Sequence, residues 1–546
     1  MTKNHILFFI LFISLCVSAK ERTKNDMKRI AMRVLNHQTT RSTTSELSCF
    51  SETETYGIYG YEDCFAIISC DDNSDAVLGY SMTSFNKDNI PCGLKWWLCA
   101  IDTRLKQMPI KASVAKTRGS SVVVEPMLKS KWGQGDPYNS KCPTFQGKQG
   151  PVGCVATAMS QLMYYYKYPL QSDGMGYYTL GEASHIYSYK INNTYDWEHM
   201  MDSYPSSWFI TNEEKENISQ LCYDAGLASH MNYASDGSGT TAYEAAYGLG
   251  SVFKFDSLSV RCVQRNYCSD EEWIETICKE FQSGRPLIMT GQDPNYGGHA
   301  FLIDGINAEG LVHVNWGWNG NSDGYYNLND MNPISSNDHY NYSQTIVTNL
   351  LCNPIPSEGA KYKSRWCFDG DIELVSDQID GLIISGAELI WQCYHIPFYG
   401  QVGLMFIDNN GNEALFCPII DTSKNSMGAV AGGYGLYVSS FNHITSADLK
   451  SLSSGSYRAY FVSKALQDEE PQIVGYPKEG YNEFAITKSD DSSLTIEKTG
   501  ATSIWSAIIQ KSKTEQIYNL QGRNMGTDLN ALPRGIYIIG GKKVGK

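Results

Sequence analysis

The chain has 546 residues, a length that predicts several domains rather than a single hydrophobic core. Its hydrophobic content of 42% and charged content of 19% are typical of globular proteins. The net charge of −14 argues against a nucleic-acid-binding protein, which would need clustered basic side chains to hold phosphate.

Residues 1–19 have the pattern of a secretory signal peptide. Lys3 precedes an apolar run over residues 6–17, and Val17-Ser18-Ala19 ends the segment at small residues. The apolar run is shorter than the roughly 18–20 residues that a membrane span needs, so no transmembrane span is expected. Leu15 disfavours lipidation of Cys16, because such a site needs a small residue there. We therefore expect a secreted or cell-surface protein that is exported through the periplasm.

Residues 20–118 form a first block with α+β character. Residues 62–72 and 77–81 predict strands, and the periodicity of apolar residues over 91–108 predicts a helix. Residues 111–121 are polar and basic, with little apolar periodicity. This stretch predicts an exposed linker that a protease can cut.

Residues 119–353 contain the candidate catalytic residues. Cys154 follows Gly153 at the predicted start of a helix, and Pro169 is expected to end that helix. His299 comes 145 residues later and Asn315 another 16 residues on, in two predicted strands joined by a turn over residues 307–310. This order and spacing are those of a papain-like cysteine protease.

The three residue types suit nucleophilic catalysis at a carbonyl. A cysteine attacks as its thiolate, which a helix N-terminus and a nearby imidazolium both favour. His299 would be the general base and acid, and Asn315 would orient its ring. Gln134 precedes the nucleophile and can donate to the oxyanion together with the Cys154 backbone N–H. A lone buried cysteine is usually an inert apolar residue, so the prediction depends on the joint pattern.

The remaining chain is predicted to be rich in β-structure. Residues 354–486 contain a clear hairpin over 402–416, which favours a β-sandwich-like domain. Residues 487–503 are polar and are predicted to be a linker, and residues 504–546 form a short terminal β module. The fold class is therefore α+β, with all-β domains after the catalytic region.

The sequence predicts no cofactor and no metal site. The chain has 16 cysteines, but pairs such as Cys64 and Cys70 lack the two-residue spacing of zinc sites. An exported protein can oxidise its cysteines, although their connectivity cannot be read from the sequence.

The motifs around the candidate residues resemble those of the streptopain family of secreted bacterial cysteine proteases. The matching segments are Gln134-Gly135-Asp136-Pro137-Tyr138-Asn139, Gly153-Cys154-Val155-Ala156-Thr157-Ala158, Gly297-Gly298-His299-Ala300-Phe301 and His313-Val314-Asn315-Trp316-Gly317-Trp318, with Ser322-Asp323-Gly324 after them. The resemblance extends over about residues 120–350. It implies a papain-like fold, the catalytic roles given above and proteolytic activation of a zymogen.

The resemblance also implies partners and specificity. Residues 20–118 would be an inhibitory prodomain, and the substrates would be proteins or peptides with a hydrophobic residue two before the scissile bond. Gly298, Ser238 and Trp316 are the expected substrate-binding residues. Residues 504–546 resemble the C-terminal sorting domains of type IX secretion, which implies the outer-membrane secretion machinery as a further partner.

Two other functions compete with a secreted endopeptidase made as a zymogen. One is a catalytically inactive adhesin or binding protein on a protease scaffold, which the presence of every catalytic residue type disfavours. The other is an acyl transferase with a Cys-His-Asn site, which the specific motifs disfavour. The sequence does not reveal the natural substrate or the role of residues 354–486.

Overall fold

The structure is a computed structural model that divides into two compact units. The first unit comprises residues up to 255 and residues 274–352, and the second comprises residues 256–273 and the chain from 353 onwards. The structure describes residues 21–38, 46–72, 74–107, 122–183, 185–204, 209–265, 270–293, 297–328, 344–352, 365–376, 381–424, 428–466, 468, 470–475, 481–502, 517–519, 536–539 and 542–545.

Six α-helices lie within the described ranges. They are α1 (Lys24–Gln38), α2 (Cys92–Gln107), α3 (Cys154–Tyr166), α4 (Asn212–Ala228), α5 (Ala242–Ser251) and α6 (Asp270–Gln282). The predicted helix over residues 91–108 is confirmed as α2, and the helix that follows Gly153 is confirmed as α3. None of the described helices is both long and apolar enough to cross a bilayer.

The strands that precede residue 353 are mostly short. They are β1 (Ser48–Glu52), β2 (Tyr56–Tyr61), β3 (Cys64–Ser69), β4 (Val77–Ser81), β5 (Thr144–Phe145), β6 (Lys148–Gln149), β7 (Gly174–Leu180), β8 (Tyr187–Ile191), β9 (Asn232–Tyr233), β10 (Arg261–Gln264), β11 (Leu287–Asp293), β12 (Gly297–Ile306), β13 (Val312–Asn315), β14 (Gly324–Tyr326) and β15 (Thr345–Thr348). The strands predicted over 62–72 and 77–81 are confirmed as β3 and β4.

One continuous sheet joins the N-terminal block to the region that carries the candidate site. Its strands follow the order β1-β2-β3-β4-β14-β13-β12-β11-β15. The junction is the antiparallel pair β4–β14, in which Tyr80 lies opposite Tyr325. At Gly324 an added Cβ would be 2.2 Å from the Tyr80 carbonyl oxygen, so the two backbones approach too closely there for a side chain.

Helices cover the part of the sheet that carries the candidate site. Helix α3 contacts β11 and β12, while α4 and α5 pack against α3. Residues 155–164 of α3 are all buried, so this helix runs through the interior rather than along the surface. The burial of α3 fixes the position of its first residue, Cys154, relative to the sheet.

The second unit is rich in β-structure and has its own core. Its later strands are β16 (Trp366–Phe368), β17 (Glu373–Ser376), β18 (Leu382–Ser385), β19 (Leu389–Gln392), β20 (Gly400–Ile407), β21 (Glu413–Asp421), β22 (Gly435–Tyr437), β23 (His443–Ile444), β24 (Gly455–Ala465), β25 (Gln472–Ile473), β26 (Tyr481–Lys488), β27 (Leu494–Thr502), β28 (Ile517–Asn519), β29 (Ile536–Ile539) and β30 (Lys542–Gly545). Three sheets, ordered β16-β19-β22, β17-β18-β23 and β21-β20-β24-β26-β27, contribute to one hydrophobic cluster.

The prediction of a linker over residues 487–503 is wrong. Strand β26 extends to Lys488, and β27 pairs with it in the register Ile486↔Ile496 and Lys488↔Leu494. Leu494 and Ile496 are partly buried against the core of the unit. Polar side chains alternate with Leu494 and Ile496 along β27, because one face of this strand is exposed to solvent. The segment therefore has the polar composition of a linker although it forms a strand.

Several predicted segments lie outside the described residues. These are the signal peptide over 1–19 and the cleavable stretch over 111–121. Of the terminal module over 504–546, the structure describes only the three-stranded sheet β28-β29-β30. The predicted boundaries of the domains stay predictions.

Candidate active site

Cys154 is the first residue of α3, and its sulfur lies against the backbone of the inner strand β12. The preceding Gly153 has φ 92°, a conformation that disfavours residues with a side chain. An added Cβ at Gly153 would also be 2.8 Å from the Met231 side chain and 3.0 Å from the Ser238 carbonyl oxygen. Burial raises the pKa of Cys154, and a hydrogen bond from the Ala300 backbone N–H opposes that effect. This bond brings the thiol to the backbone of β12.

His299 lies on β12, next to Ala300, and is almost completely buried. Its Nε2 is 3.4 Å from the carbonyl oxygen of Trp316. Burial lowers the pKa of His299 to about 4, because the charged imidazolium loses its hydration. In this structure the histidine is therefore neutral near pH 7, and the cysteine is a thiol.

Asn315 is near the histidine but forms its hydrogen bonds elsewhere. Strand β13 pairs with β12 so that Asn315 lies opposite Leu302, and the turn over 307–310 joins the two strands as predicted. The Asn315 Nδ2 donates to the Ser130 carbonyl oxygen at 2.7 Å, and its Oδ1 accepts from the Gly317 N–H at 3.0 Å. The described contacts of Asn315 do not include the His299 ring, whose acceptor is the Trp316 carbonyl instead.

The same amide of Asn315 is paired with a second buried amide. Gln161 Nε2 donates to Asn315 Oδ1 at 3.2 Å, and Asn315 Nδ2 donates to Gln161 Oε1 at 3.2 Å. Gln161 Oε1 also accepts from the backbone N–H of Trp132 at 3.2 Å. The sequence prediction missed Gln161; its signal was a long polar side chain within an otherwise apolar stretch of helix.

Gln134 lies in the loop that follows Trp132. Its carbonyl oxygen accepts from the Val152 N–H at 2.9 Å, two residues before Cys154. Its side chain is half-buried and forms no hydrogen bond within the described part of the chain. The loop thus runs beside Cys154, and the amide is free to meet a substrate oxygen.

The predicted substrate-binding residues lie around this centre. Ser238 is buried, and its hydroxyl donates to the Pro151 carbonyl oxygen at 2.7 Å. Gly298 precedes the histidine and is exposed. Trp316 is completely buried, and its ring N–H donates to the Ser322 carbonyl oxygen at 3.0 Å. In this form of the protein Trp316 is therefore not available to a substrate.

Helix α2 of the N-terminal block covers the histidine and the tryptophan. An added Cβ at Gly93 would be 2.5 Å from His299 Cδ2, 3.0 Å from His299 Nε2 and 2.5 Å from Trp316 Cε3. One turn further along α2, the Trp96 ring lies over Gly291, where an added Cβ would be 2.0 Å from it. Burial raises the pKa of Cys92, and the Cys154 charge adds to that effect, which indicates that the two thiols are near each other.

Asp323 supports the backbone of Trp316. Its Oδ1 accepts from the Trp316 N–H at 2.9 Å. Burial raises the pKa of Asp323 to about 7, although the Trp316 hydrogen bond opposes the shift. The carboxyl thus holds the residue whose carbonyl oxygen faces His299.

A thiol at a helix N-terminus beside a histidine on a sheet is the arrangement of a papain-like cysteine peptidase. The sequence profile of the peptidase C10 family matches residues 132–326. Streptopain from Streptococcus pyogenes is 31% identical over 293 residues, which cover 49% of this chain and 72% of streptopain. The chain therefore belongs to the peptidase C10 family of cysteine peptidases.

Two other similar proteins differ in how much of their own length this chain covers. Thiol protease/hemagglutinin PrtT from Porphyromonas gingivalis is 32% identical over 296 residues, which cover 50% of this chain and 34% of PrtT. The solved structure of a prointerpain A fragment from Prevotella intermedia has 32% identity and a TM-score of 0.49, and covers 57% of this chain and 99% of the fragment. The chain thus spans about a third of PrtT.

Proposed function

We propose that this chain is a secreted cysteine endopeptidase made as a zymogen. The observation that carries the proposal is the position of Cys154: its sulfur accepts from the backbone of Ala300, directly after His299, at the N-terminus of α3. Family membership supports a peptidase, and the retention of both residues favours an active enzyme over an inactive binding protein.

The proposed reaction begins with proton transfer from Cys154 to His299. The thiolate attacks the scissile carbonyl carbon, and the carbonyl oxygen takes the negative charge. The Cys154 backbone N–H and the Gln134 side-chain amide would donate to that oxygen. His299 then protonates the leaving amine, and water releases the acyl group from the sulfur by the reverse sequence of proton transfers.

Latency would result from the contact between α2 and His299. With Gly93 against the ring, the pKa of His299 is lowered to about 4 by burial and that of Cys154 is raised, so the neutral pair is favoured over the thiolate–imidazolium pair. Cleavage in residues 112–124 would allow residues 20–118 to leave. Water would then reach the site and favour the charged, reactive pair.

The proposed specificity and export follow from the family resemblance. We expect a preference for a hydrophobic residue two before the scissile bond, with Gly298 and the loop at Ser238 along the cleft. Residues 1–19 would direct export to the periplasm. Residues 504–546 would direct passage through the outer membrane as a type IX sorting module.

Casein hydrolysis under reducing conditions tests the proposed activity. Wild-type protein should cleave casein, and a thiol-alkylating epoxide should stop the reaction. Cys154→Ala should lower the rate by at least about a thousandfold, because only binding and oxyanion stabilisation remain. Cys49→Ala is the matched control, since it removes an exposed thiol of the N-terminal block. Activity of Cys154→Ala above a tenth of wild type would rule out the assignment.

A further inference from the structure

We propose that Gln161 is a positioning residue that connects α3, which carries Cys154, with the loop of Gln134 and with the segment of Asn315 and Trp316. This inference rests on the proposed peptidase function. It concerns how the nucleophile helix is held at a fixed position relative to the loop of Gln134 and the turn of Trp316.

Gln161 lies on the same face of α3 as Cys154. The two residues are seven positions apart, which is close to two full helical turns and about 10 Å along the axis. A side chain at this position therefore meets the same loops that pass over the nucleophile. Gln161 is completely buried, so its polar atoms depend on these loops for partners.

The hydrogen bonds of Gln161 reach both loops. Its Oε1 accepts from the Trp132 N–H at 3.2 Å, two residues before Gln134. Its amide also pairs reciprocally with the Asn315 amide, with both donor–acceptor distances at 3.2 Å. Asn315 is bonded in turn to the carbonyl oxygen of Ser130 and to the N–H of Gly317. The paired amides thus connect α3, residues 130–134 and residues 315–317.

The connection reaches the catalytic atoms through the backbone. Trp316 lies between Asn315 and Gly317, and its carbonyl oxygen is the acceptor that faces His299. A change at Gln161 would therefore displace the histidine acceptor and the oxyanion loop relative to Cys154. Reactions of this type are sensitive to such displacements, since a shift of about 1 Å can cost about a hundredfold in rate.

Replacement of the amide by an apolar group of similar size tests the inference. Gln161→Leu, introduced into the full-length chain, should lower the kcat of the matured enzyme by about 10- to 100-fold, with KM within about threefold of wild type. Ser160→Ala is the matched control, because Ser160 is the adjacent buried polar residue and its hydroxyl bonds within α3 to the Ala156 carbonyl oxygen. Its kcat should stay within about threefold of wild type.

A double variant separates positioning from a general loss of packing. Because both residues act through one amide pair, Gln161→Leu combined with Asn315→Leu should be no more than about threefold below the poorer single variant. Effects that multiply would overturn the inference. So would a folded Gln161→Leu protein with the kcat of Ser160→Ala.

A second substitution covers the case in which Gln161→Leu does not fold. In Gln161→Glu the carboxylate keeps the acceptor for Trp132 but loses the donor to Asn315 Oδ1, and protonation restores that donor. Activity relative to wild type at the same pH should therefore rise as the pH falls from 8 to 5. A ratio that does not change with pH would overturn the inference.

The alkylation rate of Cys154 gives a readout that does not require proteolysis. Iodoacetamide labelling of Cys154, followed by mass spectrometry of its peptide, should be at least about fivefold slower in Gln161→Leu than in Ser160→Ala at pH 7. Wild-type protein without peptidase activity would refute the proposed function, and the labelling comparison would still decide the role of Gln161. Equal labelling rates would overturn that role.

Discussion

Gly93 of α2 lies directly against the ring of His299, at a distance that leaves no space for a side chain. An added Cβ would be 2.5 Å from His299 Cδ2 and 2.5 Å from Trp316 Cε3. The helix that covers the candidate catalytic histidine therefore depends on a glycine at the point of contact. This relationship gives direct tests of the proposed zymogen.

Gly93→Ala should weaken the closed state of the precursor. The methyl group would overlap His299 and Trp316, and such overpacking typically costs about 1–3 kcal/mol. Labelling of Cys154 in the uncut precursor by an epoxide inhibitor should accelerate by about 5- to 150-fold, as that free energy predicts. Lys95→Ala, on the exposed face of the same helix, should leave the rate unchanged. Equal rates in both variants would contradict the proposed role of α2.

The buried His299 should make the precursor less stable as the pH falls. Its pKa is lowered to about 4 from an ordinary value of 6.5, so between these values the unfolded chain binds a proton that the folded chain does not. The contribution of the neutral His299 to the free energy of unfolding is therefore complete above pH 6.5 and is lost as the pH falls toward 4. Urea unfolding of the Cys154→Ala precursor measures this effect. The contribution of His299 should lower the free energy of unfolding by about 2 kcal/mol between pH 7 and pH 5.

A second variant isolates the contribution of the histidine. Other groups also titrate in this range, so the comparison is with Cys154→Ala combined with His299→Phe. The difference in unfolding free energy between the two proteins should change by about 2 kcal/mol over the same pH range, in favour of the double variant at low pH. A difference that stays constant would mean that His299 is not held neutral in the precursor.

Asn315→Ala should reduce stability as well as activity. The substitution leaves the carbonyl oxygen of Ser130, the N–H of Gly317 and the Gln161 amide buried without these partners. The expected loss is about 2–4 kcal/mol in the free energy of unfolding. The exposed Asn321→Ala is the control and should stay within about 0.5 kcal/mol. Activity should fall less than in Cys154→Ala; an equal fall in a folded protein would contradict the proposed roles.

Deletion of residues 504–546 should affect export rather than catalysis. Purified protein that lacks this module should keep the specific activity of the full chain, and cell fractionation should find it retained in the periplasm. Unchanged appearance at the cell surface or in the medium would contradict the sorting role. A lower specific activity would indicate a structural role for the module.

The candidate catalytic pair, Cys154 and His299, could be proposed from the sequence because its chemistry leaves a signature there. Cys154 after a glycine at a helix start and His299 on a distant strand are rare together by chance, and flanking motifs extend both segments. Gly93 could not be predicted in the same way. Gly93 matters because it has no side chain at the point where α2 packs on the sheet. That contact exists only in the folded structure.

Other differences arise where neighbours in space decide what a residue does. The orienting role of Asn315 stays a prediction, but the sequence did not indicate that its amide bonds to Gln161 and to the Ser130 carbonyl oxygen, neither of which is adjacent in sequence. Residues 494–502 have the composition of a linker, yet their pairing with β26 makes them a strand. In both cases the deciding contacts are between residues far apart in the sequence, which the local sequence does not indicate.

The shared sheet has a consequence for how the proposed latency would end. Cutting the chain within residues 112–124 breaks a peptide bond but none of the bonds in the β4–β14 ladder, where Gly79, Tyr80 and Ser81 lie opposite Tyr326, Tyr325 and Gly324. After the cut, the first block therefore stays bound through this ladder until β4 and β14 separate. Departure of the first block then leaves β14 as a bare edge, a three-residue template on which another extended chain can form the missing hydrogen bonds.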